Sequence, residues 1–193
     1  MKKAFSFIGE LLIEIIKIVT ISFILVFLIT KFLLFPCSVD GSSMYPTLEN
    51  KDVGYSLVIT KLIGVNRFDI VVVDQGEKLL VKRVIGLPNE TIEYKDNVLY
   101  IDGTKYEEPY LSDVTTDDFK VELNEDEYYC LGDNRNVSLD SRYYGPFKIK
   151  QFKSTHMIVL YPFDNFGYKS WVYSGIQDIW KKLEGKWKNS LNL

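Results

Sequence analysis

Three short stretches concentrate the residues able to do chemistry. The first is Gly41-Ser42-Ser43-Met44-Tyr45-Pro46-Thr47-Leu48. Pro46 fixes its own backbone and restricts Tyr45, so this segment can hold one serine hydroxyl and its amide toward a site. Taken alone, it also reads as a Ser-rich loop. The second is Leu80-Val81-Lys82-Arg83-Val84-Ile85-Gly86, which sets two cations inside an apolar strand. Alternation puts Leu80, Lys82 and Val84 on one face, and Val81, Arg83 and Ile85 on the other. Either one cation shares a face with buried residues, or the strand is an edge with solvated charges. Lysine is the cation that can become a base, because desolvation lowers its pKa, whereas arginine keeps its proton. The third runs Leu131-Gly132-Asp133-Asn134-Arg135-Asn136-Val137-Ser138-Leu139-Asp140-Ser141-Arg142. It crowds four Asp or Asn, two Arg and two Ser into a dozen positions, which reads as a hydrogen-bonded scaffold or a polar surface loop. The acidic spacing is wrong for an EF-hand.

Composition removes several other chemistries. The 193 residues include one histidine and two cysteines. These cannot furnish a Cys₄ or Cys₂His₂ zinc site, and no metal or cofactor is expected. Two cysteines allow at most one bridge, so a disulfide framework is excluded. Cys130, inside an apolar strand, reads as a buried apolar residue. His156 lies outside all three stretches and reads as structural.

The elements that must position these residues follow from hydrophobic patterning. Residues 15–35 read IIKIVTISFILVFLITKFLLF, with only Lys17 and Lys31 charged. At 1.5 Å per residue, such a helix reaches roughly 30 Å, enough to cross a bilayer if both lysines snorkel outward. Glu14 and Lys17, three apart, can pair on one helix face. The run ends Leu34-Phe35-Pro36-Cys37, without the small-residue pattern of a cleaved signal, so a retained anchor over 15–36 is expected. Lys2 and Lys3 precede it, which places a short tail (1–14) in the cytoplasm and the remainder outside. Short runs rich in Val, Ile, Leu and Tyr at 53–59, 69–73, 79–85, 91–94, 98–101, 128–131 and 157–160 predict strands, with Asp96-Asn97 as a tight hairpin turn. The expected fold class is mainly β, an antiparallel sheet domain over 37–168. Residues 107–127 hold nine acidic residues and one lysine, and read as a solvated insert. At 169–193, Ile176, Ile179, Trp180, Leu183, Trp187 and Leu191 follow a helical period, with lysines mostly off the stripe. That predicts a short C-terminal amphipathic helix, either at the membrane interface or packed on the domain.

The net charge of −3 conceals +2 over residues 1–36, −8 over the middle and +3 over 169–193. An acidic middle disfavours nucleic acid, while basic, apolar ends suit a lipid bilayer.

Together the three stretches, in this order after an anchor, resemble bacterial type I signal peptidase. The resemblance covers about residues 10–165 and includes the strand Asp69-Ile70-Val71-Val72-Val73. It implies the family's antiparallel β catalytic domain and a Ser/Lys dyad, with Ser43 as nucleophile and Lys82 as general base. Met44 would line the site and Ser138 would orient the lysine. Asp140 and Arg142 would form a bracing ion pair, with Gly132, Asp133, Asn134 and Arg135 holding the loop. Some relatives place an oxyanion-binding serine two positions before the nucleophile. Here that position is Gly41, so that side chain is missing. The substrates implied are secreted pre-proteins with small residues at −1 and −3. The rival from another class is a membrane-anchored relative without catalysis, acting in assembly or binding of surface proteins.

Overall fold

The structure, a computed structural model, describes residues 2–58, 64–112 and 116–169. The expected C-terminal amphipathic helix lies outside the described residues.

The chain opens with helix α1, Lys2–Phe32. Its Gly9–Phe32 part is long and apolar enough to cross a membrane, and none of it is buried against the rest of the protein. Two hydroxyls in this segment fold back onto the helix, Thr20 onto the Ile16 carbonyl (2.8 Å) and Thr30 onto that of Val26 (2.9 Å). They therefore present no unpaired donor to an apolar surrounding. Lys17 and Glu14 form the expected pair at 2.7 Å. The helix does not run as far as Pro36, the expected end of the anchor. The helix stops at Phe32, and Leu34–Ser38 is strand β1, lying at the sheet edge against β2 (Val53–Leu57). Pro36 cannot continue a helix, and an edge strand tolerates its missing N–H.

All seven strands read from the sequence are present. They are β2, β3 (Ile70–Asp74), β4 (Leu79–Gly86), β5 (Thr91–Lys95), β6 (Val98–Ile101), β9 (Glu127–Leu131) and β11 (Phe152–Tyr161). Among the described residues five more emerge: β1, β7 (Thr104–Tyr106), β8 (Phe119–Glu122), β10 (Phe147–Lys148) and β12 (Gly167–Lys169). They form two antiparallel sheets. The larger runs β1-β2-β11-β3-β4-β9-β10, with β12 also paired to β11, and the smaller runs β7-β6-β5-β8. Asp96 and Asn97 turn the β5–β6 hairpin with φ of 51° and 62°, left-handed at both positions, as a type I′ turn requires. Residues 107–127 are not simply a solvated insert. Their β8 pairs with β5, and Glu108 forms a buried ion pair with Arg135.

Strand β4 has apolar clusters on both faces. Val84 packs with Val71, Val73, Cys130, Phe147 and Phe152, whereas Ile85 joins Ile92, Leu99, Leu123 and Leu131 beneath the smaller sheet. The sequence left a choice between one buried cation and a solvated edge. Instead both Lys82 and Arg83 are buried. Each has a partner from a loop: Lys82 meets Ser43, and Arg83 meets Asp133.

A third cluster lies under the loop that leads from β1 to β2. Met44 and Leu48 join Val39, Ile70, Met157 and Val159 there. The Leu48 N–H donates to the Met44 carbonyl (2.9 Å), and the Tyr45 N–H to that of Ser42 (3.1 Å). The serine-bearing turn is thus pegged into the core on either side of Pro46. Leu48 has no exposed surface, so Leu48→Ala is expected to lower stability by about 2–5 kcal/mol, through lost burial and the cavity left behind. A urea midpoint within experimental error of wild type would refute this pegging.

Candidate active site

Lys82 is carried on β4 and Ser43 on the loop after β1, and the fold brings them together. Lys82 Nζ donates a hydrogen bond to Ser43 Oγ at 2.8 Å. The lysine is 2% exposed. Burial pulls its ammonium down to about 8, while the nearby Asp140 and Asp133 carboxylates resist that shift and Arg142 assists it. Its hydrogen-bond partner is a hydroxyl rather than a carboxylate, so no ion pair fixes the charge.

The loop after β9 closes over this pair. Its first residue, Gly132, stands where a side chain cannot fit. A Cβ there would lie 2.2 Å from Ser138 Oγ and 2.4 Å from the Ser43 carbonyl oxygen. Two residues on, the Asn134 N–H donates to that same carbonyl at 3.0 Å. Ser43 is therefore gripped through its own backbone by the loop that the resemblance assigns to the site.

Asp140 and Arg142 form the expected ion pair at 2.9 Å. Asp140 caps helix α2 (Ser141–Tyr144) by accepting from the Arg142 N–H, and it also accepts from the Gly132 N–H at 3.0 Å. Burial would raise the Asp140 carboxyl, but Arg142 and the Gly132 N–H together hold it below the usual carboxylate range. Arg142 reaches back to the carbonyls of Arg135 (2.8 Å) and Ser138 (3.3 Å), which turns the loop into a ring of hydrogen bonds. Ser141 Oγ accepts from the Cys130 N–H at 2.9 Å and ties the ring to β9.

Asp133 anchors the ring from the other side. Its carboxylate takes Arg83 in a two-pronged pair, at 2.8 and 2.6 Å, and accepts from Thr47 Oγ1 at 2.5 Å. Both Arg83 and Asp133 are essentially buried. Thr47 sits on the serine-bearing loop, so one buried carboxylate joins β4, that loop and the 132–142 ring. Sequence reading placed Asp133 in the loop scaffold but gave Arg83 and Thr47 no role. The signal was present: an arginine inside an apolar strand requires a buried anion.

Other expected residues are placed as follows. Met44 is buried beside the pair, on the core side of the loop. The buried Ser138 Oγ lies close enough to Asp140 to help hold that carboxyl down, and no hydrogen bond joins it to Lys82. Gly41 has φ of +102°, and its N–H donates to Asn50 Oδ1 at 3.0 Å. His156 lies 3.3 Å from Asp69 through Nε2 and contacts Thr155 Oγ1 through Nδ1, not Ser43 or Lys82. Cys130 is buried, and it and Cys37 are free. Among the described residues, no group of three or more His, Cys, Asp or Glu could hold a metal ion.

Strand β4 is paired unequally along its length. Residues 79–83 pair with β3, whereas β9 takes up only Arg83, Val84 and Gly86. Among the described residues, 79–82 therefore leave one edge open, and Lys82 stands at its end.

The family model for signal peptidase, peptidase S26, matches residues 12–161. The chain is 42% identical over 162 residues to signal peptidase I S of Bacillus subtilis (strain 168), covering 77% of this chain and 88% of that protein. It is 33% identical over 178 residues to signal peptidase IB of Staphylococcus aureus (strain MRSA252), covering 81% and 93% respectively. A crystal structure of a signal peptidase I from Enterococcus faecalis V583, 35% identical, covers 50% of this chain and 96% of that one, with a TM-score of 0.44. A match spanning the apolar helix, the serine loop, β4 and the ring after β9 leaves one assignment: the chain belongs to the signal peptidase family, peptidase S26.

Proposed function

We propose that this protein removes N-terminal signal peptides from secreted pre-proteins as a membrane-anchored serine endopeptidase, with Ser43 as nucleophile and Lys82 as general base. The observation that carries the proposal is the 2.8 Å contact between Lys82 Nζ and Ser43 Oγ, made by a lysine with almost no exposure. A serine hydroxyl needs a base within hydrogen-bond reach, and a lysine drawn toward neutrality by burial supplies one near the operating pH.

The chemistry then follows in two halves. Ser43 Oγ attacks the scissile carbonyl, and its proton passes to neutral Lys82. The resulting lysinium protonates the departing amine of the mature chain, which breaks the peptide bond and leaves an acyl ester on Ser43. Water, deprotonated by Lys82, attacks that ester, and the lysinium returns the proton to the departing Ser43 Oγ, releasing the signal peptide with a free carboxylate. The Ser43 N–H serves as one oxyanion donor. The Gly41 N–H is already engaged by Asn50, so the second donor comes from elsewhere in the site. Ser138 is suited to orient the lysine, because its hydroxyl is buried within the site beside Gly132 and Asp140.

Substrate docks by strand addition. The open edge of β4 at 79–82 offers main-chain groups to an extended signal-peptide end and leads it to Lys82. Alternate side chains of such a strand point into the same wall, which suits small residues at −1 and −3. The apolar helix anchors the domain in the membrane, with Lys2 and Lys3 on the cytoplasmic side and the β domain outside, where signal peptides emerge.

Detergent-solubilised protein incubated with a pre-protein tests the dyad. Ser43→Ala and Lys82→Ala are each expected to reduce cleavage by about 10³-fold or more. Unchanged cleavage in either variant refutes it. The neutral amine is the working form, so wild-type kcat/KM is expected to rise with pH, with a midpoint near 8. A rise centred near pH 10 instead means that Lys82 is not the base.

The same shift has a stability consequence. The Lys82 pKa falls from 10.5 to about 8 on folding, so between those values the unfolded chain binds more protons and stability increases with pH. Below about 8 the native state carries the whole cost of the buried ammonium. Lys82→Met, although inactive, is therefore expected to be more stable than wild type at pH 7, by on the order of 1–3 kcal/mol. That gain should shrink as pH rises from 8 to 10.5. Equal or lower stability of Lys82→Met at pH 7 contradicts a strained lysine.

A further inference from the structure

The segment that follows β7 runs past the site as a strap, and its alternate residues each meet an arginine. Tyr106, Glu108 and Tyr110 are half-buried, while Glu107 and Pro109 between them are exposed. The Tyr106 ring lies 5.2 Å from the guanidinium of Arg67, and the Tyr110 ring lies 4.0 Å from that of Arg83. Between them, Glu108 pairs with Arg135. Its Oε1 accepts from Arg135 Nη2 at 2.5 Å and from the Tyr110 hydroxyl at 2.6 Å. Its Oε2 accepts from Arg135 Nη1 at 3.2 Å and from the Tyr94 hydroxyl.

Two of these arginines hold the site. Arg83 follows Lys82 on β4 and grips Asp133. Arg135 is part of the ring itself. Its Nε donates to the Gly132 carbonyl at 3.0 Å, and its own carbonyl accepts from Arg142 at 2.8 Å. Gly132 is packed against the Ser43 carbonyl, which also accepts the Asn134 N–H. The Arg135 side chain has no exposed surface, and that of Glu108 is 6% exposed. A guanidinium so placed requires an anion, and none of the ring's own carboxylates serves it. Asp133 is taken by Arg83, and Asp140 by Arg142. The anion comes from the strap.

We propose that Glu108, braced by Tyr110, is a positioning residue for signal-peptide cleavage: it supplies the charge that keeps Arg135 under the 132–142 ring, and so keeps the Ser43 carbonyl and Lys82 in register. This rests on the Ser43/Lys82 reading above. Glu108 touches neither substrate nor the dyad. It acts through Arg135, so its loss should slow the bond-breaking step of folded enzyme more than it weakens substrate capture.

The test uses the full chain in detergent, with kcat and KM measured per folded molecule below the unfolding temperature of each variant. Glu108→Gln keeps the shape but removes the charge. It is expected to lower kcat by about 10-fold or more, with KM within about 3-fold of wild type. Glu108→Asp should recover part of the loss, and Glu107→Gln on the exposed side should match wild type. Wild-type kcat in folded Glu108→Gln overturns the proposal, because Glu108 then contributes to stability alone. An equal loss in Glu107→Gln overturns it too, because the effect is then not specific to the buried pair. Should Glu108→Gln fail to fold, Tyr110→Phe keeps the ring on Arg83 and removes only the hydrogen bond to Glu108. It is expected to lower kcat by about 2- to 5-fold, and an unchanged kcat again overturns the proposal. Ser43→Ala is run in parallel. If it still cleaves, the dyad reading fails and carries this proposal with it. If it is inactive while Glu108→Gln has wild-type kcat, only the role of Glu108 is refuted.

Discussion

A lysine ammonium inside an apolar strand is the constraint around which this structure is arranged. Lys82 is nearly without exposure, and its hydrogen bond goes to the neutral hydroxyl of Ser43. A carboxylate at that position would fix the proton on the amine and leave the serine without a base. The acidic residues nearby are instead held at one remove. Asp133 is saturated by Arg83, and Asp140 by Arg142 and the Gly132 N–H. They resist the fall in the Lys82 pKa without pairing with it, and the resulting value lies close to the physiological range.

Keeping two arginines and three carboxylates buried around one amine, with Arg142 part-exposed at the rim, requires that nearly all their polar atoms be satisfied. The pairs Arg83–Asp133 and Arg135–Glu108 draw their members from different parts of the chain, while Arg142–Asp140 closes the loop after β9 on itself. Between them they join β4, the strap after β7 and the loop after β9. Thr47 extends the first pair to the serine loop. Residues far apart in sequence are thereby locked at hydrogen-bond distance. Such a lock suits catalysis in which an approach of about 3 Å decides the rate.

Much of this was legible in the sequence. Strand periodicity located seven strands, and Asp96-Asn97 marked a hairpin that proved to have both residues left-handed. The three polar stretches contained Ser43, Lys82 and the 132–142 ring, which the fold brings together. What escaped depends on long-range pairing. Strand β1 hides in the tail of an apolar helix, because Leu34 and Phe35 suit either element and only pairing with β2 decides. Strand β8 lies in an acidic stretch whose composition resembles a solvated loop, and it becomes a strand by pairing with β5. Glu108 looked like one of nine surface acids until a buried arginine was found across from it. The two cations of β4 show the same limit. Alternation allows one buried face, whereas a strand with a core cluster on each side buries both.

Direct titration of the Lys82 amine is the sharpest test of this arrangement. The ¹³Cε resonance of Lys82, assigned by its disappearance in Lys82→Arg, should titrate in the free enzyme with a midpoint near 8. A midpoint near 10.4, the value of a solvated lysine, would contradict the central claim that burial beside Ser43 turns this residue into a base.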